Sequence, residues 1–113
     1  MADALKTDVH DAFQQLYDAL DDAYWAATTI ETKDRIRGVA EAILDAITEL
    51  NRKEFDERSA KFQELGQTMS KVNAKLSQLK DDIDNLIHNI KTAATVASYI
   101  DKAIELAVKY FKI

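Results

Sequence analysis

The sequence predicts an all-α protein, an antiparallel helical bundle or coiled-coil hairpin of three long helices with the option of a short fourth at the C-terminus. Three observations carry this. The 113 residues include seventeen alanines, two glycines and no proline; alanine is the best helix former, and proline costs about 3 kcal/mol inside a helix. Apolar residues recur at three- and four-residue spacing along most of the chain, which is helical rather than strand periodicity. The turn-residue clusters that punctuate a β-sandwich or barrel are missing.

The first helix is expected over about 3–27. Leu5, Val9, Phe13, Leu16, Leu20, Tyr24 and Ala27 form its apolar stripe, and Asp8, Asp11, Asp18 and Asp22 lie opposite. Thr28, followed three residues later by Glu31, reads as a capping box that opens a second helix near residue 31. That helix is expected to run to about 65. Its stripe is Ile36, Ala40, Ile43, Ile47 and Leu50; continued strictly, the register next meets Glu54 and Glu57, while Phe55 and Phe62 follow a shifted phase. Such a slip reads as a stutter.

A third helix is expected over about 68–112, with Gly66 favoured as the turn before it; the alternative is a helix that runs through Gly66, at a cost of about 1 kcal/mol, as one rod over 32–112. From Phe62 to Phe111 fifteen positions alternate three and four apart, and all are apolar, a heptad seam that calls for coiled-coil packing. A hairpin pivoting at Gly66 sets Leu50 near Asp82 and Ile36 near Val96, and leaves a two-helix tip at about 56–76. Beyond residue 86 the stripe widens through Ile87, Ala94, Val96, Ala103, Val108 and Tyr110, so more than one neighbour must cover it. In the three-helix arrangement residues 101–113 overhang, exposing Ile104, Ala107 and Phe111. Either the chain breaks near 91–95 and folds back as a fourth helix, or a second copy covers the patch.

Composition narrows the function. The net charge is −5. Residues 1–31 hold seven acids and one base, and residues 66–113 five acids and seven bases, so an acidic start complements a mildly basic end within one chain. A nucleic-acid binder would show a basic stripe instead. Oppositely charged pairs such as Glu54–Arg58 and Glu57–Lys61 read as solvated helix surface. Cysteine is absent, which removes disulfides, thiolate metal sites and cysteine nucleophiles. Asp3, Lys6, Asp8 and Asp11 break any signal-peptide core. The longest uncharged stretch, 92–100, falls far short of the roughly 20 apolar residues of a spanning helix. A cytoplasmic location is expected, with export without a cleavable signal left open.

No catalytic, cofactor-binding or metal-binding residue is assigned. Asp84 and His88 share a helix face, but a stable site needs three or four ligands, and His10 beside Asp11 is no better placed. Asp81, Asp82 and Asp84 lack the glycine and the twelfth-position glutamate of a calcium loop. Glu41, Asp45 and Glu49 read as a solvated face. Tyr17, Tyr24 and Trp25 cluster at the end of the first helix; the stripe explains Tyr24, but Trp25 lies off it.

The expected function is therefore non-enzymatic: a protein-interaction module, acting as an adaptor, chaperone or assembly factor, that self-associates through its C-terminal helix, first as a dimer. Its candidate interface is Trp25, Tyr24, Ile104, Val108 and Phe111. One alternative is a membrane-active amphipathic hairpin built on residues 92–113. Another is a small acidic inhibitor or immunity protein that presents Asp8, Asp11, Asp18 and Asp22 to a basic partner.

Overall fold

Residues 2–51 and 60–113 are described by the computed structural model. They form four helices: α1 (Ala2–Ala26), α2 (Ile30–Leu50), α3 (Ala60–Leu86) and α4 (Ile90–Phe111). Each helix packs on two neighbours in the cyclic order α1, α2, α3, α4, and among the described residues no diagonal pair approaches within 8 Å between Cα atoms. Arg35 pairs with Asp82 and Lys80 with Asp101, while Gly66 lies against Phe111. The α3–α4 pairings, 80 with 101 and 66 with 111, run in opposite directions along the two helices, which are therefore antiparallel. The bundle measures 42 × 22 × 21 Å, about the length that helices of 21–27 residues require. No described helix is long and apolar enough to cross a membrane.

Sequence accounts for each element. α1 buries Val9, Phe13, Leu16 and Leu20 completely. Its flanking alanines Ala12, Ala19 and Ala23 are buried too, and Ala19 borders Thr92, Thr95 and Val96 of α4. Small residues here let α1 and α4 approach closely, and theirs is the most extensive helix pairing. α2 starts at the cap residue Thr29, whose hydroxyl oxygen accepts from the Thr32 backbone N–H at 3.1 Å. The cap predicted at Thr28 with Glu31 is thus one residue early, and the Thr29 hydroxyl also donates to the hydroxyl of the buried Thr32 at 2.9 Å. α3 buries Met69, Val72, Leu76, Leu79 and Ile83. α4 starts at Asn89, whose Oδ1 accepts from Thr92 N–H at 3.1 Å.

Four helices are present among the described residues rather than three long ones, as in the fold-back alternative. The helix expected over 31–65 ends at Leu50, with Asn51 as its cap. The phase slip beyond Leu50 marks the end of that helix, because any continuation would carry Glu54 and Glu57 into the core. Gly66 is not a turn: it lies buried inside α3, with no positive φ. Arg35, not Leu50, is the residue that meets Asp82. The proposed tip at 56–76, the Glu54–Arg58 and Glu57–Lys61 pairs and Phe55 fall wholly or partly outside the described residues.

The helix expected over 68–112 is broken as well, at 87–89 rather than 91–95. The chain folds back there, so residues 101–113 do not overhang. Ala107 is fully buried, Phe111 nearly so and Ile104 half-buried. The widened stripe is covered by α1 on one side and α3 on the other, with Val96, Ala103 and Tyr110 all buried. At the turn the roles of two isoleucines invert: Ile87, read as a flank, is 1% exposed, and Ile90, read as seam, is 85% exposed.

One polar atom is out of place in this interior. The Asn73 Oδ1 is buried without a hydrogen-bond partner, a situation that costs about 1–3 kcal/mol.

Two stability outcomes follow. Leu79 is fully buried, so Leu79→Ala should lower the unfolding free energy by about 2–5 kcal/mol. Gly66→Ala should raise it by about 0.5–1 kcal/mol. The added methyl meets Phe111 Cβ at 3.7 Å, an ordinary van der Waals contact. Urea titrations followed by helical circular dichroism measure both; a destabilised Gly66→Ala protein would contradict the helical placement of Gly66.

Candidate functional site

The most distinctive side-chain cluster sits where α1 turns into α2. α1 ends without a basic residue in its last turn, leaving its C-terminal carbonyls without a nearby cation on the same helix. α2 supplies one. Lys33 reaches across the turn, and its Nζ donates to the Tyr24 carbonyl at 2.8 Å. The same ammonium lies 4.6 Å from the Tyr24 ring centre and 5.4 Å from that of Trp25. One turn further along α2, the Arg37 guanidinium carbon lies 4.6 Å from the Tyr24 ring centre. Cations over aromatic faces at such distances are held by about 0.5–1 kcal/mol each at exposed sites. Tyr24 and Trp25 pack edge to face, with centroids 5.4 Å apart.

This clamp fixes Tyr24 and leaves Trp25 outside. Tyr24 is half-buried, whereas Trp25 is 73% exposed and Ile30, four residues past the end of α1, is 77% exposed. Beside Trp25 a shallow cleft of about 190 Å³ opens between α1 and α2, floored by Leu20 and Ile36 and rimmed by Tyr17, Asp21, Arg37 and Glu41. A flat apolar ring held from behind and bordered by charges of both signs suits contact with another macromolecule.

The other candidates are scattered. Val108 is 41% exposed on α4, while Phe111 is packed against Phe62 and Tyr110 with ring centroids 5.3 and 4.9 Å away. The α1–α2 turn and the free end of α4 lie at opposite ends of the bundle, so Trp25 and Tyr24 do not share one surface with Ile104, Val108 and Phe111. Asp8, Asp11, Asp18 and Asp22 are all exposed on α1. Asp11 lies 3.6 Å from His10 and Asp18 accepts from Gln14, but none of the four pairs with α4 among the described residues. Ion pairs between helices include Arg35–Asp82 and Lys80–Asp101.

Asp84 and His88 are exposed, and among the described residues no three of His, Cys, Asp and Glu stand close enough to share a metal ion. Asp82, read with Asp81 and Asp84 as a false calcium loop, is engaged by Arg35. Glu41 lines the Trp25 cleft and Asp45 is exposed.

Reading by periodicity missed Ile30, Lys33 and Arg37. A signal for Ile30 was present: it stands six residues before Ile36, off the second stripe, as Trp25 is off the first. Lys33 and Arg37 share a helix face through their four-residue spacing, but nothing local says that this face turns toward Tyr24.

Comparison of the chain with protein-family models, with curated proteins and with solved structures finds no match.

Proposed function

We propose that the chain is a non-enzymatic protein-interaction module, an adaptor, chaperone or assembly factor, that docks its partner on the Trp25–Ile30 corner of the α1–α2 turn. The observation that supports this is the exposure of those two side chains, 73% and 77%, on a turn whose geometry the Lys33 clamp holds. Preorganised aromatic anchors bind with little ordering cost. The surface of α4 is a weaker candidate than the sequence suggested, because the stripe that motivated self-association there is buried by α1 and α3. The same burial weighs against the membrane reading: Val96, Ile100, Tyr110 and Phe111 already face the core, so an interfacial helix would require the bundle to open.

A second reading has one observation in its favour. The exposed arc of Asp8, Asp11, Asp18 and Asp22 suits capture of a basic protein, as an inhibitor would achieve it. Complementary charge of this kind acts chiefly on the association rate and fades as salt screens it.

Trp25 is the sole tryptophan, so its emission reports the docking corner directly. Partner binding should move that emission to shorter wavelength. Trp25→Ala together with Ile30→Ser should weaken binding by about thirtyfold or more while changing stability by no more than about 0.5 kcal/mol. A photoreactive residue at position 25 identifies the partner in the native cell, with one at position 108 as the control; unchanged affinity of the double variant for that partner would reject the corner as the docking site. The acidic reading differs in its signature. Replacing the four aspartates by asparagine should then slow association and flatten its salt dependence, with Trp25→Ala having little effect.

A further inference from the structure

We propose that this chain forms an exchanged dimer, in which the 87–89 turn becomes helical and α4 of each copy enters the bundle of the other. The first observation is the phase of the seam. From Phe62 to Phe111 the three–four alternation passes through the turn without a slip, although α3 and α4 pack side by side as separate helices. A single supercoiled helix over 60–111 would keep that seam on one stripe, and it would be roughly 78 Å long.

The turn itself resists this conversion weakly. It contains Ile87, His88 and Asn89, with no glycine or proline, and no residue in it has positive φ. Asn89, the cap of α4, has a φ of −79° within the helical range, and its ψ of 106° must rotate for the helix to pass through it. The turn is held by the bond from Asn89 Oδ1 to Thr92 N–H and by the buried Ile87 side chain, which stays on the face of Ile83, four residues before it, when the helix continues. The α1–α2 turn is fastened far more firmly, by Lys33 on the Tyr24 carbonyl, by two cations over the Tyr24 ring and by the Thr29–Thr32 bonds. Exchange is therefore favoured at 87–89.

Exposure indicates the occupant. Ile90 occupies a seam position and yet is 85% exposed. It gains seam partners when the turn straightens and two copies cross there. Both turns lie at the same end of the antiparallel bundle, so the exchanged bundles meet through the end that also carries Trp25 and Ile30. All contacts of α4 with α1 and α3 are recovered between chains, because α4 enters its slot from that same end. Short connections between helices are the usual site of such exchange.

Cross-linking separates exchange from simple end-to-end contact. Lys80 and Asp101, an exposed α3–α4 pair 2.6 Å apart at their charged atoms, are replaced as Lys80→Cys and Asp101→Cys in the cysteine-free chain. The protein is refolded at high concentration, fractionated by size with light scattering and treated with a short bismaleimide. In the monomer fraction the link forms within a chain. In the dimer fraction it should join two chains, since positions 80 and 101 of one straightened helix lie about 32 Å apart. Adding His88→Ala and Asn89→Ala should raise the dimer about fivefold for each chain, by removal of the cap. Ile90→Ser should lower the dimer and leave the thermal midpoint of the monomer unchanged. Absence of a dimer in both the parent and the helix-promoting variant would overturn the proposal. A dimer fraction linked only within chains would overturn it too, leaving end-to-end contact in its place.

Discussion

The burial of α4 between α1 and α3 is the contact on which the architecture depends. α4 is the most apolar of the four helices, and its face is too wide for one neighbour. Ala93, Ile100, Ala107 and Phe111 cover one side of that face, and Val96, Ala103 and Tyr110 the other, all of them buried. α1 answers with a flank of alanines and α3 with a row of larger residues from Met69 to Ile83. Remove α4 and both of those faces open to water at once, at a cost of roughly 25 cal/mol per Å² of apolar area exposed. Four helices in a ring give every stripe two neighbours; three would leave this one bare.

Helical character and the composition of each stripe were legible in the sequence, because periodicity reports which face of a helix is apolar. Periodicity does not report direction. The seam from Phe62 to Phe111 reads as one continuous helix, yet the chain reverses at 87–89 and the buried face shifts there, taking in Ile87 in place of Ile90 and then Val96 and Ala103. Conversely, Gly66 looks like punctuation, and the helix passes straight through it. A glycine in a helix costs about 1 kcal/mol, little enough for packing against Phe111 to override. What decided between these two places was the register of α2. Its stripe ends at Leu50, and a helix carried further would have drawn Glu54 and Glu57 into the core. That information lay in the residues before the glycine.

The candidate site was legible to a similar degree. Trp25 stands off the stripe of its helix, so its exposure follows from spacing alone. Phe111 stands on its stripe, and its burial depended on whether α4 folded back, a tertiary question. The Lys33 clamp is tertiary in the same sense. It couples the Tyr24 carbonyl at the end of α1, the Tyr24 ring and a cation nine residues away. No local pattern announces the combination, yet each component satisfies a need the sequence does show, since α1 has no basic residue in its own last turn.

The two ends of the bundle differ in a way that ties the proposed docking corner to the proposed exchange of α4. The three most exposed large apolar side chains among the described residues, Trp25, Ile30 and Ile90, flank the two turns at one end, while Val108 and Phe111 belong to the far end of α4. A partner seated on Trp25 and a second copy meeting the bundle end-on therefore approach the same region. If their footprints overlap, the two events are thermodynamically linked: the partner shifts the balance toward the closed monomer by as much as its affinity for that form exceeds its affinity for the exchanged one, and exchange weakens partner binding by the same factor. The strength of that coupling depends on how far the crossing at Ile90 reaches toward Trp25, because the clamp that secures the α1–α2 turn keeps the docking corner itself in one geometry whichever copy supplies α4.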